Sequence, residues 1–414
     1  MTQTKRTHTP SVPAPLKRRL GLGLLTFYGV GVMIGAGIYV LIGEVAGRAG
    51  SWTPHAFLLA GLAAAVTAAS FAELSGRVPE AGGSAAFARA AFPVAGVSVL
   101  VGLAVVATGV LSAGAVLQGG IGYLRALVDA PPALLVIAVG LVLTGLAIRG
   151  VVESLTAAAI LTVIEVVGLM IIVAVAFLAD PLDVSSPAAD AVGAASTPAF
   201  GFGALAGAVF LAFFAFIGFE DIANMAEETK EPSRTVPLAI LLAFAAVLAI
   251  YVLVAVAALR VVPAEALSQS PRPLALVYET ATGSPPTFIA AIGVAASLNG
   301  VLAQIVMAAR VLFSLGRRNR ALKVLATTHQ SWRTPIVATA LCGGVVIVLG
   351  VMVPLAGLAS ATSLVLLSVF VLMNLALIRL KRQGPPPPGA LDLPSWVPYL
   401  GTISSVAVIA GALL

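Results

Sequence analysis

Two apolar stretches carry glycines in the middle of what should be unbroken helix. The first reads G-V-G-V-M-I-G-A-G-I from Gly29 to Ile38, and the second F-F-A-F-I-G-F-E from Phe213 to Glu220. Glycine tolerates unwound backbone that other residues resist. An unwound turn exposes amide N–H groups where the helix restarts and carbonyls where it stops. The amide end attracts a carboxylate and the carbonyl end an ammonium. Such a pair of broken helices holds a zwitterionic head group without any charged side chain. Gly31 and Gly35 also fit a close helix-packing role of the small-xxx-small kind; Gly35-Ala36-Gly37, matched by Gly218, favours the break. A third feature is Glu165, alone among apolar residues in A-I-L-T-V-I-E-V-V-G-L-M.

Positioning these groups falls to helices that cross a bilayer. Hydrophobic residues make up 60% of 414 positions and charged residues 10%, against about 25% charged in soluble domains. Runs of about twenty apolar residues span a hydrocarbon core of about 30 Å. They are continuous rather than alternating, which selects helices over a closed barrel. Eleven spans are expected, near 24–45, 55–75, 90–117, 132–148, 154–178, 204–226, 236–258, 286–314, 336–353, 357–379 and 396–414. Residues 1–20 read as a disordered tail, without signal-peptide features. Residues 21–380 read as a ten-helix core, 381–395 as a Pro-rich loop, and 396–414 as an additional span.

The net charge of +6 comes from loop asymmetry, not from a nucleic-acid-binding face. With Met1 inside, 18 of 23 basic residues lie in inside loops and four outside (Arg48, Arg125, Arg260, Arg272), while Arg310 lies within span 8. This is the positive-inside pattern, and it places the N-terminus in the cytoplasm of a cell whose inner membrane holds the chain. Cys342 is the only cysteine and His8, His55 and His329 are scattered, so no metal site or cofactor is expected. No nucleotide-binding loop and no H-E-x-x-H cluster occurs, which argues against an ATP-driven pump and a membrane-embedded enzyme.

Spans 1 and 6 run in opposite directions, as an inverted repeat of spans 1–5 and 6–10 requires. Paired Gly-interrupted spans in two halves point to a transporter's substrate site. At these residues the chain resembles the amino acid–polyamine–organocation superfamily, and within it bacterial relatives of the cationic amino acid transporters. The resemblance rests on G-V-M-I-G-A-G-I-Y-V, on Ala69 to Ser84 (A-S-F-A-E-L-S-G-R-V-P-E-A-G-G-S), and on Phe213 to Ile240. The segment 310–338 also fits, with Asn319-Arg320 where relatives carry Asp-Gly.

The resemblance implies the leucine-transporter fold, a five-plus-five repeat with halves near 21–180 and 200–380 and broken helices 1 and 6. It implies a substrate carboxylate at the amides of Gly35, Ala36 and Gly37. The α-ammonium would meet carbonyls of Met33, Phe214, Ala215 and Ile217, with Phe214 and Phe216 shaping the pocket beside Gly218. Relatives usually have a twelfth span. In proton-coupled relatives a lysine is expected where Glu165 stands.

Glu165 is open to three readings: a proton carrier, a ligand for a monovalent cation together with Ser297 or Asn299, or a structural carboxyl. Glu220 and Asp221 should cap the restarted helix in span 6. Glu73 and the Glu227, Glu228, Lys230 and Arg234 cluster should form inside-gate ion pairs with Arg77 or Arg89. Arg310 should turn toward the inside or join one of them. Few carboxylates lie near mid-membrane, so the expected partner is a neutral small or branched amino acid, moved by alternating access with protons. An uncoupled exchanger or exporter, or a cationic amino acid or polyamine carrier, is the alternative.

Overall fold

The computed structural model describes residues 18, 20–80, 82–150, 155–179, 201–318, 320–328, 332 and 334–413. The expected tail to residue 17 and the acidic loop at 180–200 lie outside them. Helices α1 (Leu22–Ala36) and α2 (Ile38–Ala49) form the first span, and α3 (Thr53–Arg77) the second. A short α4 (Gly83–Ala91) precedes α5 (Ala95–Leu124), followed by α6 (Pro132–Arg149) and α7 (Leu155–Leu178). The second half holds α8 (Phe202–Ala212), α9 (Pro232–Val261), α10 (Ala264–Gln269), α11 (Pro273–Thr282) and α12 (Thr287–Arg318). It closes with α13 (Ile336–Met352), α14 (Leu355–Gln383) and α15 (Trp396–Gly411).

Each expected span coincides with helix. Eight stretches are long and apolar enough to cross a membrane, and three shorter apolar helices complete the set. Large apolar side chains such as Leu141, Val142, Val348 and Ile403 face outward, while Thr67, Glu73, Glu165, Gln304 and Asn374 are buried. That arrangement suits lipid on the outside and polar partners within. The chain is a multi-pass helical membrane protein.

Two expectations are corrected. The third span does not begin at residue 90: the chain breaks between α4 and α5, with Phe92 extended at φ −114° and ψ 129°. Pro93 forces this, because it lacks an amide hydrogen and excludes α geometry from the residue before it. The stretch between spans 7 and 8, read as plain loop, contains α10 and α11, each entered through a proline. In addition Leu20, read as the end of the tail, is buried and fixed. Its amide donates to the Glu228 carbonyl at 3.0 Å, and the Lys230 amide donates to its own carbonyl at 2.9 Å.

Helix α5 packs along α12 and α14, α3 packs along α9, and α15 lies in the groove between α3 and α14. A polar key fixes that last helix. The Asn374 amide donates to the Thr67 hydroxyl at 3.0 Å, which sits 3.5 Å from Ser405 on α15.

At the basic end of the bundle, Glu73 is fully buried beneath two cations and a backbone amide. Arg77 Nε lies 2.8 Å and Lys381 Nζ 2.7 Å from its Oε1, and the Leu393 amide donates to Oε2 at 3.1 Å. Lys381 also meets Asp392 at 2.9 Å, a contact that holds the exposed Asp392 carboxyl below its ordinary range. The expected Glu73–Arg77 pair is present, but Arg89 pairs with Glu80 at 2.8 Å instead. Arg310 is exposed and makes no ion pair among the described residues. Removing the acid at the centre of a buried cage leaves uncompensated cations, at a cost of about 3–5 kcal/mol. Glu73→Gln is therefore expected to lower the melting temperature in detergent markedly. Asp392→Asn, at the exposed rim, should cost no more than about 1 kcal/mol.

Candidate functional site

Helix α1 stops at Ala36 and α2 starts at Ile38, with Gly37 between them at φ −112° and ψ −85°. A Cβ on Gly37 would lie 2.6 Å from both the Ala215 carbonyl oxygen and Tyr251 Oη, and 2.8 Å from Ala215 Cα. Only glycine lets span 6 approach this closely. The Gly37 amide donates to the Ile34 carbonyl at 3.2 Å. Tyr251, from α9, reaches the break: its hydroxyl donates to the Met33 carbonyl at 2.8 Å. That bond satisfies a carbonyl left orphaned at the end of α1.

The break in span 6 is longer. Helix α8 tightens into a 3-10 turn at Phe213–Phe216, Ile217 is extended, and a second 3-10 segment runs over Phe219–Glu228. Between them Gly218 sits at φ +122°, a conformation closed to residues with a Cβ. A Cβ there would also come within 2.8 Å of Val32 and 3.2 Å of the Met33 amide. The Gly218 amide donates to Glu220 Oε2 at 3.0 Å, a bond reaching back two residues. Asp221 accepts from Asn224 Nδ2 at 3.4 Å.

The two breaks therefore touch: Met33 and Gly37 meet Ala215 and Gly218 at a single crossing. Phe214 and Phe216 are fully buried beside it. Phe216 packs on Phe244 and Tyr251, with ring centroids at 5.5 and 5.3 Å, which directs it toward α9. Below the crossing, Phe219 meets Phe71 at 5.5 Å and Phe370 at 5.1 Å, anchoring the restarted segment of span 6 to spans 2 and 10.

Glu165 is 1% exposed. Its Oε1 lies 3.9 Å from the position a Gly35 Cβ would take, and the Ala296 carbonyl lies 3.3 Å from the same point. The carboxyl thus faces the end of α1 and the backbone of α12. Gly35 and Gly300 approach so closely that a Cβ on Gly300 would lie 3.0 Å from the Gly35 carbonyl. Ser297 does not turn to this point: its hydroxyl donates to Gly293 at 2.7 Å, and its Cβ packs over Gly120 on α5. Asn299 is half-buried on the same helix.

Cavities lie on both sides of the crossing. One of about 260 Å³ is lined by Glu44, Gln118, Ser268 and Gln269. Tyr39 and Tyr123 form its floor: the Tyr123 hydroxyl donates to the Tyr39 carbonyl at 2.8 Å, and the Tyr39 hydroxyl to the Glu165 carbonyl at 3.0 Å. The other, of about 60 Å³, lies toward the basic end and is lined by Ile217, Glu220, Asp221, Thr108 and Gln304. Tyr39, Tyr123, Tyr251 and Gln304 escaped sequence reasoning. The one available signal was a tyrosine directly after the G-A-G-I break.

Broken helices meeting at mid-bundle, with cavities above and below, agree with the chain-wide comparison: residues 20–414 match the amino acid permease family. The chain belongs to that family. This permease is 30% identical to the branched-chain amino acid permease BcaP of Bacillus subtilis, over 92% of this chain and 84% of that one. It is 28% identical to the vacuolar cationic amino acid transporter 2 of Arabidopsis thaliana, over 96% and 64%. It is also 28% identical to the methylthioribose transporter of Bacillus subtilis, over 94% and 87%. This permease is a transporter rather than an enzyme. Among its described residues no three His, Cys, Asp or Glu side chains gather as a metal site.

Proposed function

We propose that this permease is a secondary active transporter that carries neutral α-amino acids across the inner membrane by alternating access, with its N-terminus in the cytoplasm. The observation that carries this reading is the contact between the two broken helices, Gly37 against Ala215 and Gly218 against Met33. On a five-plus-five repeat, backbone groups of Met33, Gly35, Ala36 and Gly37 take the substrate's head from one half. Those of Phe214, Ala215 and Ile217 take it from the other. A substrate head group seated here takes over the bond that Tyr251 makes to the Met33 carbonyl.

Glu165 is proposed as the proton carrier. It stands next to Gly35, so its charge state and the geometry of the first break influence each other directly. Its titratable neighbours are Tyr39 on α2 and Tyr251 on α9. The neutral substrate class is supported by the small cavity, by the absence of mid-membrane acids beyond Glu44, Glu165, Glu220 and Asp221 among the described residues, and by the similarity to a branched-chain amino acid permease.

Uptake of a panel of radiolabelled amino acids into proteoliposomes tests the reading. Saturable uptake of neutral amino acids, increased by an inward proton gradient, is expected. Saturable uptake of polyamines with none of any α-amino acid would sink it.

A further inference from the structure

The cavity toward the basic end is lined by a residue with an unpartnered buried hydrogen-bond acceptor. Two of its donors are committed within the protein: the Thr108 hydroxyl to the Ala104 carbonyl at 2.9 Å, and the Asn224 amide to Asp221 at 3.4 Å. The nearby Gly218 amide is committed to Glu220 at 3.0 Å. Gln304, on α12, is 4% exposed, lines the cavity, and has a buried Oε1 with no hydrogen-bond partner. Gly109 on α5 leaves it room: a Cβ there would lie 3.4 Å from Oε1. A buried carbonyl oxygen without a donor is destabilising, so the site is incomplete until a ligand supplies one.

Ile217 belongs both to the span 6 break and to the cavity wall. A head group held at the breaks therefore directs its side chain here. We infer that Gln304 is a specificity-determining residue, and that the preferred substrates are small neutral amino acids whose side chain ends in a hydrogen-bond donor, serine and threonine above alanine and valine. A cavity of about 60 Å³ admits a hydroxyl but not a long side chain. The inference rests on the transport reading above and adds the identity of the side chain.

Threonine and valine are near-isosteric and differ by the hydroxyl, so their ratio isolates this contact. In proteoliposome competition, wild-type protein should favour threonine over valine by about tenfold, the equivalent of one hydrogen bond. Gln304→Met should abolish that preference, and Gln304→Glu, which keeps an acceptor, should preserve it. A wild-type preference for valine overturns the inference even if the variants do not fold. So does a threonine preference that survives in Gln304→Met. Failure of every amino acid to compete would instead remove the transport reading on which the inference stands.

Discussion

Gly37→Ala is expected to reduce amino acid uptake by about two orders of magnitude, the scale of loss when a reacting or binding group is displaced by about 1 Å. The added methyl would sit 2.6 Å from the Ala215 carbonyl and from Tyr251 Oη. Two of its three nearest neighbours are backbone atoms of the other broken helix, so no rotamer change relieves it. Overpacking of this kind costs about 1–3 kcal/mol in a well-packed core, and here it acts on the two segments that hold the substrate. Gly218→Ala should be as severe for a different reason, because the methyl is forced into the backbone conformation at φ +122° that excludes it. Gly344→Ala is the control: a Cβ there meets nothing within 4 Å, and uptake should be unchanged. Uptake normalised to folded protein in the membrane checks all three.

The second large effect concerns Glu165→Gln, which keeps the shape of the side chain and removes its proton. Wild-type vesicles with a more acidic outside should accumulate substrate about tenfold per pH unit for one-to-one coupling. The variant should still exchange substrate across the membrane but should not accumulate it against a gradient, and its uptake should be flat with pH. An unchanged pH dependence in Glu165→Gln would remove Glu165 from the coupling step.

Much of this site was legible in the sequence because glycine and charge are conspicuous in apolar spans. Gly35-Ala36-Gly37 and Gly218 marked the breaks, and Glu220 marked the start of the second segment of span 6. The Glu73–Arg77 pair follows from four-residue spacing on one helix face. Its further partners Lys381 and Asp392 lie about three hundred residues along the chain, where no local pattern reaches. Tyr251 read as one more apolar position, yet its hydroxyl bonds the Met33 carbonyl at the first break. Gln304 was overlooked because it carries no charge to set it apart within the span. The break at Pro93 was missed because the hydrophobicity runs through it, although the proline itself marked the stop.

The central claim is that backbone groups at the two breaks hold both ends of an amino acid's head. Competition against uptake of a transported amino acid, using its decarboxylated amine and its deaminated acid, tests this most directly. The free amino acid should compete strongly, and each partial molecule, lacking either the carboxylate or the ammonium, should compete at least about a hundredfold more weakly. Equal competition by the amine or by the acid would contradict the claim, because one end of the head group would then be making no contact.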